Sequence, residues 1–386
     1  MDILRSVSFA IALRCPPPLR KQNNLDAINL SDIPQVQEVK LLATGGYNSV
    51  WLVKLHRPFE ATTTEDPLTF GNDLRNSHTS TQSEDTGSLV DQFIVRLPCE
   101  DALLPNQVEN DVAFKKFIAT KLPHIPVPKV YLYNATSQPE TSFTVEEYID
   151  CATLSSTWMS LTPTQKENVA QKLAVTLVDL SELSFDKIGG LNPVDFSSAP
   201  TVESCKLFKG RGKFHRPDCY PIGPYKTTKE YILSSYEREI HYYSHATDDI
   251  DSSFFDDVSV EEFVDELRKK QAALADTNIV DEPFVLVHGD FHGRNILAQG
   301  DQIKAIIDWD FAGSYPLSEA LSCDDVNVID ADNEETDEEN TKWGLKIRHY
   351  IQLEVAERNW GQDRVDLLMG DGHLELGEAR VEMVPL

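Results

Sequence analysis

Two short runs, Val287-His288-Gly289-Asp290-Phe291-His292-Gly293-Arg294-Asn295 and Ile306-Ile307-Asp308-Trp309-Asp310, constrain this chain more than any other feature. The apolar residues Phe284 to Val287 read as a buried strand entering the first run. Ile296 to Ala298 and Ile303 to Ile307 read as two further strands joined by a turn at Gly300-Asp301. That hairpin folds Asp308 back beside Asn295. Three polar side chains, Asp290, Asn295 and Asp308, then share one site.

Those residue types suit metal-assisted phosphoryl transfer. A γ-phosphoryl group repels an incoming hydroxyl, so most of the catalysis is positioning and charge neutralisation. Asn295 and Asp308 offer oxygens of the kind Mg²⁺ prefers alongside phosphate oxygens. Asp290 stands on the same loop, where it can orient a hydroxyl and accept its proton. Asp and Asn are also ordinary turn residues, but here several constrained positions match together. The kinase catalytic loop reads H-R-D-x-x-x-x-N; this chain keeps the Asp-to-Asn interval and has Gly289 in place of the Arg.

On these motifs the sequence resembles the aminoglycoside phosphotransferase / choline kinase-like family, whose signature is H-G-D-x-x-x-x-N followed by an apolar I-D-W/F segment. The wording VHGDFHGRNIL…IIDWDFAG is especially similar to fungal-type members. The resemblance runs in recognisable order from about residue 36 to 320. It implies an α+β, two-lobed protein-kinase-like fold, with a small β-rich first lobe and a larger helical second lobe. It also implies phosphate transfer from ATP, sometimes GTP, to a small-molecule hydroxyl.

Composition agrees without pointing there by itself. A chain of 386 residues exceeds one compact core. The net charge of −28 argues against a phosphate backbone, which demands a basic face, so nucleic acid is not an expected partner. The cysteines at 15, 99, 151, 205, 219 and 323 show no Cys-x-x-Cys pair and no zinc spacing, and read as reduced thiols. No apolar run approaches transmembrane length, so the expected location is cytoplasmic. Residues 1–35 read as an N-terminal extension. Residues 3 to 13 are mildly apolar, with a mitochondrial presequence as the alternative reading.

The first lobe is expected over 36–147. Val36 to Leu42 and Val50 to Leu55 read as strands around a turn containing Gly45, Gly46, Asn48 and Ser49, where glycines let backbone N–H groups approach phosphates. The turn departs from G-x-G-x-x-G. Residues 56–91, rich in Thr, Ser, Asp and Asn, read as a disordered insertion. Phe93 to Pro98 resembles the strand that carries the phosphate-binding lysine of kinase-like folds, with Arg96 at that place. Arginine is permanently charged and forks onto phosphate or carboxylate. A helix from about Asn106 to Leu122 supplies the acidic partner of that cation: Asp111 has the family register, Glu109 the longer reach, and only one can serve. Phe143 to Ile149 resembles the hinge, with backbone groups of Glu147 to Ile149 receiving the adenine.

The second lobe, 148–386, carries the catalytic loop 288–295 and the metal-binding segment 306–313. Thr162-x-x-Gln165, Thr227-x-x-Glu230 and Ser259-x-x-Glu262 mark helix starts, and Lys342 to Trp360 reads as a late helix. His288 is expected to hold the loop through backbone contacts. Asp310 reads as a second metal contact or as polar surface. The basic segment from Lys206 to Lys229 reads as a surface loop or a substrate-facing one. Acidic runs at 248–266 and 324–339 would suit a cationic acceptor, or simply be solvated faces.

The sequence thus predicts an ATP- and Mg²⁺-dependent phosphotransferase acting on a small-molecule hydroxyl. Asp290 is its catalytic residue and Asn295 and Asp308 its metal ligands. Gly45, Gly46, Asn48, Ser49, Arg96, Asp111, Glu147 and Ile149 are the nucleotide contacts. A protein kinase-like enzyme and a nucleotide-binding pseudokinase are the alternatives. No Ala-Pro-Glu segment follows Asp308, which speaks against the former.

Overall fold

The computed structural model describes residues 2–15, 35–61, 88–196, 211–246, 250, 255, 258–321, 326–370 and 383. Its chain begins with helix α1 (Asp2–Arg14), followed by five antiparallel strands: β1 (Val36–Thr44), β2 (Asn48–Ala61), β3 (Ser88–Pro98), β4 (Val130–Asn134) and β5 (Phe143–Glu147). They form one sheet in the order β1-β2-β3-β5-β4. Successive strand residues point to opposite faces, so Trp51, Val53 and Leu55 on β2 and Phe93, Val95 and Leu97 on β3 line one side. Leu4, Val7 and Ile11 of α1 bury themselves against that side. Residues 2–15 therefore belong to the first lobe's core and are not an appendage to it. Their spacing of three and four is the reason.

The strands also run further than expected. Phe59 pairs with Val90, Glu60 with Leu89 and Ala61 with Ser88, so β2 and β3 extend into the stretch read as an insertion. Phe59 and Val90 pack against the first lobe's core, apolar contacts that the polar composition of the surrounding stretch hides. The middle of that insertion, 62–87, lies outside the described residues.

Helix α2 (Asn106–Lys121) joins the lobes. Its Val108 and Val112 pack on Tyr133 of β4. Phe114, Phe117 and Ile118 on the same helix pack with Leu286, Ile306 and Trp309 of the second lobe. A helix buried by both lobes fixes the register between the sheet and the loop that follows Val287.

The second lobe continues through β6 (Ala152–Thr153), α3 (Leu154–Thr157), α4 (Pro163–Ser181), β7 (Ser184–Phe185), α5 (Thr228–His245) and α6 (Val260–Asp276). It ends with β8 (Phe284–Val287), β9 (Ile296–Gln299), β10 (Gln302–Ile306), β11 (Gly313–Pro316), α7 (Glu334–Glu357) and α8 (Gln362–Leu368). Two three-stranded sheets, β10-β9-β6 and β11-β8-β7, support the loops between them. Thr162 and Gln165 close a capping box on α4, as do Ser259 and Glu262 on α6. Thr227 caps α5 by its side chain alone, because Glu230 turns instead to the Lys226 N–H. The result is the expected α+β, two-lobed architecture, a β-rich lobe followed by a mostly helical one.

Five of the described acidic residues of the late runs lie at helix starts. Glu261 and Glu262 lie in the first turn of α6, and Glu334, Glu335 and Asp337 in that of α7, where the helix dipole favours them. In the basic segment, Arg211 is buried against Glu239 and the Tyr242 ring, and Lys229 reaches the carbonyls of Ala275 and Thr277. These cations satisfy the second lobe itself. Among the described residues no helix is long and apolar enough to cross a membrane, and Cys151 and Cys219 carry free thiols.

Candidate active site

β8 delivers the chain into a loop whose shape depends on Gly289. Its φ is +77°, and a Cβ there would lie 2.2 Å from the Phe311 carbonyl oxygen. Only glycine fits both restrictions. Gly289→Ala is therefore expected to displace Asp290 and to cut turnover by about 10²-fold or more, the usual cost of misplacing a reacting group by an ångström. Steady-state kinetics of that variant at wild-type level would contradict this reading of the loop.

His288 is buried and holds the loop by backbone contacts, as expected. Its Nε2–H donates to the Ile307 carbonyl (3.1 Å), and its Nδ1 accepts from the Asp290 N–H (3.2 Å). Burial pushes the imidazole down to about 4, against the pull of Asp290 and Asp308, so it is neutral at ordinary pH. A neutral ring with both nitrogens spent on backbone is a scaffold.

Asp290 and Asn295 are joined directly. The Asn295 amide nitrogen donates to both the carbonyl and Oδ2 of Asp290, each at 2.9 Å. This leaves the Asn295 side-chain oxygen as its group to meet a cation. His292, passed over in the sequence reading, has Nε2 at 3.1 Å from Asp290 Oδ1. Arg294 Nη2 lies 2.8 Å from the same nitrogen, so the ring serves one or the other. The β9–β10 hairpin turns at Gly300 and returns the chain as predicted: the Ile307 N–H donates to the Asn295 carbonyl at 2.9 Å. Asp308 follows in a left-handed conformation, φ 64°, that non-glycine residues adopt at a cost.

Above this loop lies a charge cluster. Arg96 Nη1 is 3.1 Å from Asp111, and its Nη2 is 2.7 Å from Asp308 and 2.8 Å from Asp310. Asp111 is thus the helix carboxylate that meets Arg96, and Glu109 is not among its partners. Lys54 pairs with Glu38 at the surface. Lys115, buried one turn after Asp111, bonds Asp111 (2.7 Å) and Glu146 (2.8 Å). Burial works against both cations, but the carboxylates around them outweigh it and hold Arg96 and Lys115 above their ordinary values. Asp111 is held below its ordinary value, since Lys115 and Arg96 overcome its burial.

Asp310 is neither surface nor free to coordinate. It is 4% exposed and accepts from Asn48 Nδ2 (2.5 Å) and Gln107 Nε2 (2.7 Å). Asn110 also donates to its carbonyl. Burial, with Asp308 and Asp111 nearby, pushes its carboxyl up to about 7 in spite of Arg96. Asp310 is therefore not polar surface, and its carboxylate oxygens meet Arg96, Asn48 and Gln107.

The glycine turn sits against this segment. Tyr47 packs edge-on to Phe311 with ring centres 5.0 Å apart. Two of the expected nucleotide contacts are engaged elsewhere: Asn48 holds Asp310, and the buried Ser49 hydroxyl accepts from the Trp51 indole N–H at 3.0 Å. The Gly45 N–H closes the turn onto the Asn48 carbonyl, while Gly46 faces open space. At the hinge, the Glu147 N–H donates to Lys129 O, and Ile149 O accepts from the Cys151 N–H, so its backbone is partly spent.

In sequence comparisons, the family described as "Phosphotransferase enzyme family" matches residues 70–323, which include Arg96, Asp111, Glu147, Asp290, Asn295 and Asp308 but not the glycine turn. No curated protein sequence matches the chain. Similar solved structures include an apo thermostable mutant of aminoglycoside phosphotransferase APH(4)-Ia, at 15% identity and TM-score 0.44 over 86% of this chain and 84% of that one. A streptomycin–ATP ternary complex of APH(2")-IIa gives 15% identity and 0.44 over 92% and 95%. ADP-bound aminoglycoside phosphotransferase APH(2'')-Ib gives 14% and 0.44 over 91% and 97%.

Proposed function

Because the chain belongs to the phosphotransferase enzyme family, we propose that it moves the γ-phosphate of ATP, with Mg²⁺, onto a hydroxyl of a small molecule. The observation that carries this reading is the direct bonding of Asp290 to Asn295 beside the hairpin that returns Asp308. Asp290 orients the acceptor hydroxyl and takes its proton as the new O–P bond forms and the bond from the γ-phosphorus to the β,γ-bridging oxygen breaks, releasing ADP. Asn295 fixes one oxygen of that carboxylate, and the His292 ring stands 3.1 Å from the other.

The residues present fit a divalent cation. Asp308 is the one carboxylate of its cluster with an accessible side chain, 39% exposed against 5% for Asp310. Four carboxylates (Asp111, Glu146, Asp308 and Asp310) face two cations (Arg96 and Lys115), so the cluster favours added positive charge. Asn295 and Asp308 would hold Mg²⁺, which when bound shields the phosphate charge from the incoming oxygen. Arg96 stands to contact the phosphates, and the backbone from Glu147 to Ile149 to receive the adenine. Free Cys151 and Cys219 thiols suit a reducing compartment, and the cytoplasm is the proposed location.

Asn295→Ala and Asp308→Ala are each expected to weaken Mg²⁺-dependent binding of a non-hydrolysable ATP analogue by about tenfold or more. Calorimetric titration with Mg²⁺, and again with a chelator, reads this. Affinities equal to wild type in both variants would remove these residues from the metal site.

A second reading, a nucleotide-binding protein without transfer, is favoured by one observation. Arg96 already occupies Asp308, and Asn48 and Ser49 are engaged within the protein. Labelled phosphate transfer distinguishes the two.

A further inference from the structure

We propose that Asp310 is a positioning residue for the nucleotide. Together with Asp111 it clamps the Arg96 guanidinium, so that the fork stays in place when Asp308 is taken by the metal. The inference rests on the phosphotransferase reading above.

The geometry carries it. Arg96 is buried, and its two terminal nitrogens face different elements: Nη1 meets Asp111 of α2 at 3.1 Å, and Nη2 meets Asp310 at 2.8 Å. Asp308 shares Nη2 at 2.7 Å, yet it is the exposed partner, the one a ligand reaches first. Were Asp308 and Asp111 the only partners, metal binding would leave half of the fork without a carboxylate. Asp310 is itself fixed from two elements, by Asn48 of β2 and Gln107 of α2, so it cannot follow Asp308 outward.

This arrangement also gives a reason for arginine where the family resemblance implies lysine. An ammonium is a single point charge and cannot give separate nitrogens to Asp111 and Asp310, while a planar fork can. With the left-handed turn at Asp308, Asp308 and Asp310, two residues apart, both meet the same guanidinium.

The test is a double-mutant cycle read by calorimetric affinity for ADP, with and without Mg²⁺, and by thermal unfolding. Asp310→Asn and Arg96→Lys are each expected to weaken ADP about ten- to hundredfold, the range of a charge-assisted hydrogen bond. The double variant should be no weaker than Arg96→Lys alone. Should Asp310→Asn fail to fold, Gln107→Ala removes one support of Asp310 and leaves every charge. It is expected to weaken ADP a few-fold in the native background and not at all beside Arg96→Lys. Penalties that multiply, or an Asp310→Asn protein that melts earlier yet binds ADP as wild type does, would overturn the proposal while leaving the phosphotransferase reading intact. A wild-type protein that binds no nucleotide would overturn both.

Discussion

Asp290→Asn is expected to reduce phosphate transfer by about 10²–10⁴-fold, the usual share of a positioned general base, while nucleotide affinity stays within about twofold. The substitution preserves shape. What is lost is the carboxylate proposed to accept the hydroxyl proton, together with its pull on the neighbouring donors. Asn295 Nδ2 also donates to the Asp290 backbone carbonyl, a contact the variant keeps. Affinity should therefore hold, because the metal oxygens are proposed to come from Asn295 and Asp308. Single-turnover transfer separates this from a general loss of structure. An unmodified rate for Asp290→Asn would assign the proton to another group.

The second large effect is on stability. Lys115→Met is expected to destabilise the protein by about 3–5 kcal/mol, the cost of leaving a buried carboxylate without its partner. Lys115 is 1% exposed and bonds Asp111 and Glu146 at once. Without it, Asp111 and Glu146 face each other with Arg96 alone to compensate, and Arg96 is 3.9 Å from Glu146. Adding Glu146→Gln should recover part of the loss, since it removes one of the orphaned charges. Denaturant midpoints of the two variants measure both effects. A loss below about 1 kcal/mol for Lys115→Met would mean that water reaches the cluster.

The contrast between these two residues shows what was legible beforehand. Asp290, Asn295 and Asp308 lie within one loop and hairpin, where spacing alone fixes proximity, and the structure brings the first two together and returns the third. Helix starts at Thr162 and Ser259 were readable for the same reason, since a cap and its partner are three residues apart. Lys115 was not readable. On sequence, Asp111-x-x-x-Lys115 looks like a solvated helix pair; only the packing of α2 between both lobes buries it and brings Glu146 from β5. Asp310 failed similarly, because its neighbours Asn48 and Gln107 come from distant segments. Arg96 and Asp111 were found through the family resemblance, and their 3.1 Å contact is a non-local one.

The edges of elements were also misplaced where local polarity misleads. β2 and β3 pair through residues that composition marked as loop, because a ladder is stabilised by backbone hydrogen bonds that side-chain character does not report. α1 was set apart as an extension, although its Leu4, Val7 and Ile11 fall on one helical face. Its acceptor, the side of the sheet made by Trp51, Phe93 and Val145, comes from strands scattered over about a hundred residues. In the glycine turn, the residue types suggested phosphate contacts at Asn48 and Ser49. The structure engages both internally, and a labelling experiment tests directly whether phosphate is transferred.

That experiment supplies the protein with γ-labelled ATP, Mg²⁺ and the small-molecule fraction of a cell extract, and separates the products by chromatography. The expected result is label in a low-molecular-weight phosphate ester with the wild-type protein, and in none with Asp290→Asn. Label that stays in ATP and inorganic phosphate for both proteins, or that appears only on protein, would contradict phosphate transfer to a small-molecule hydroxyl.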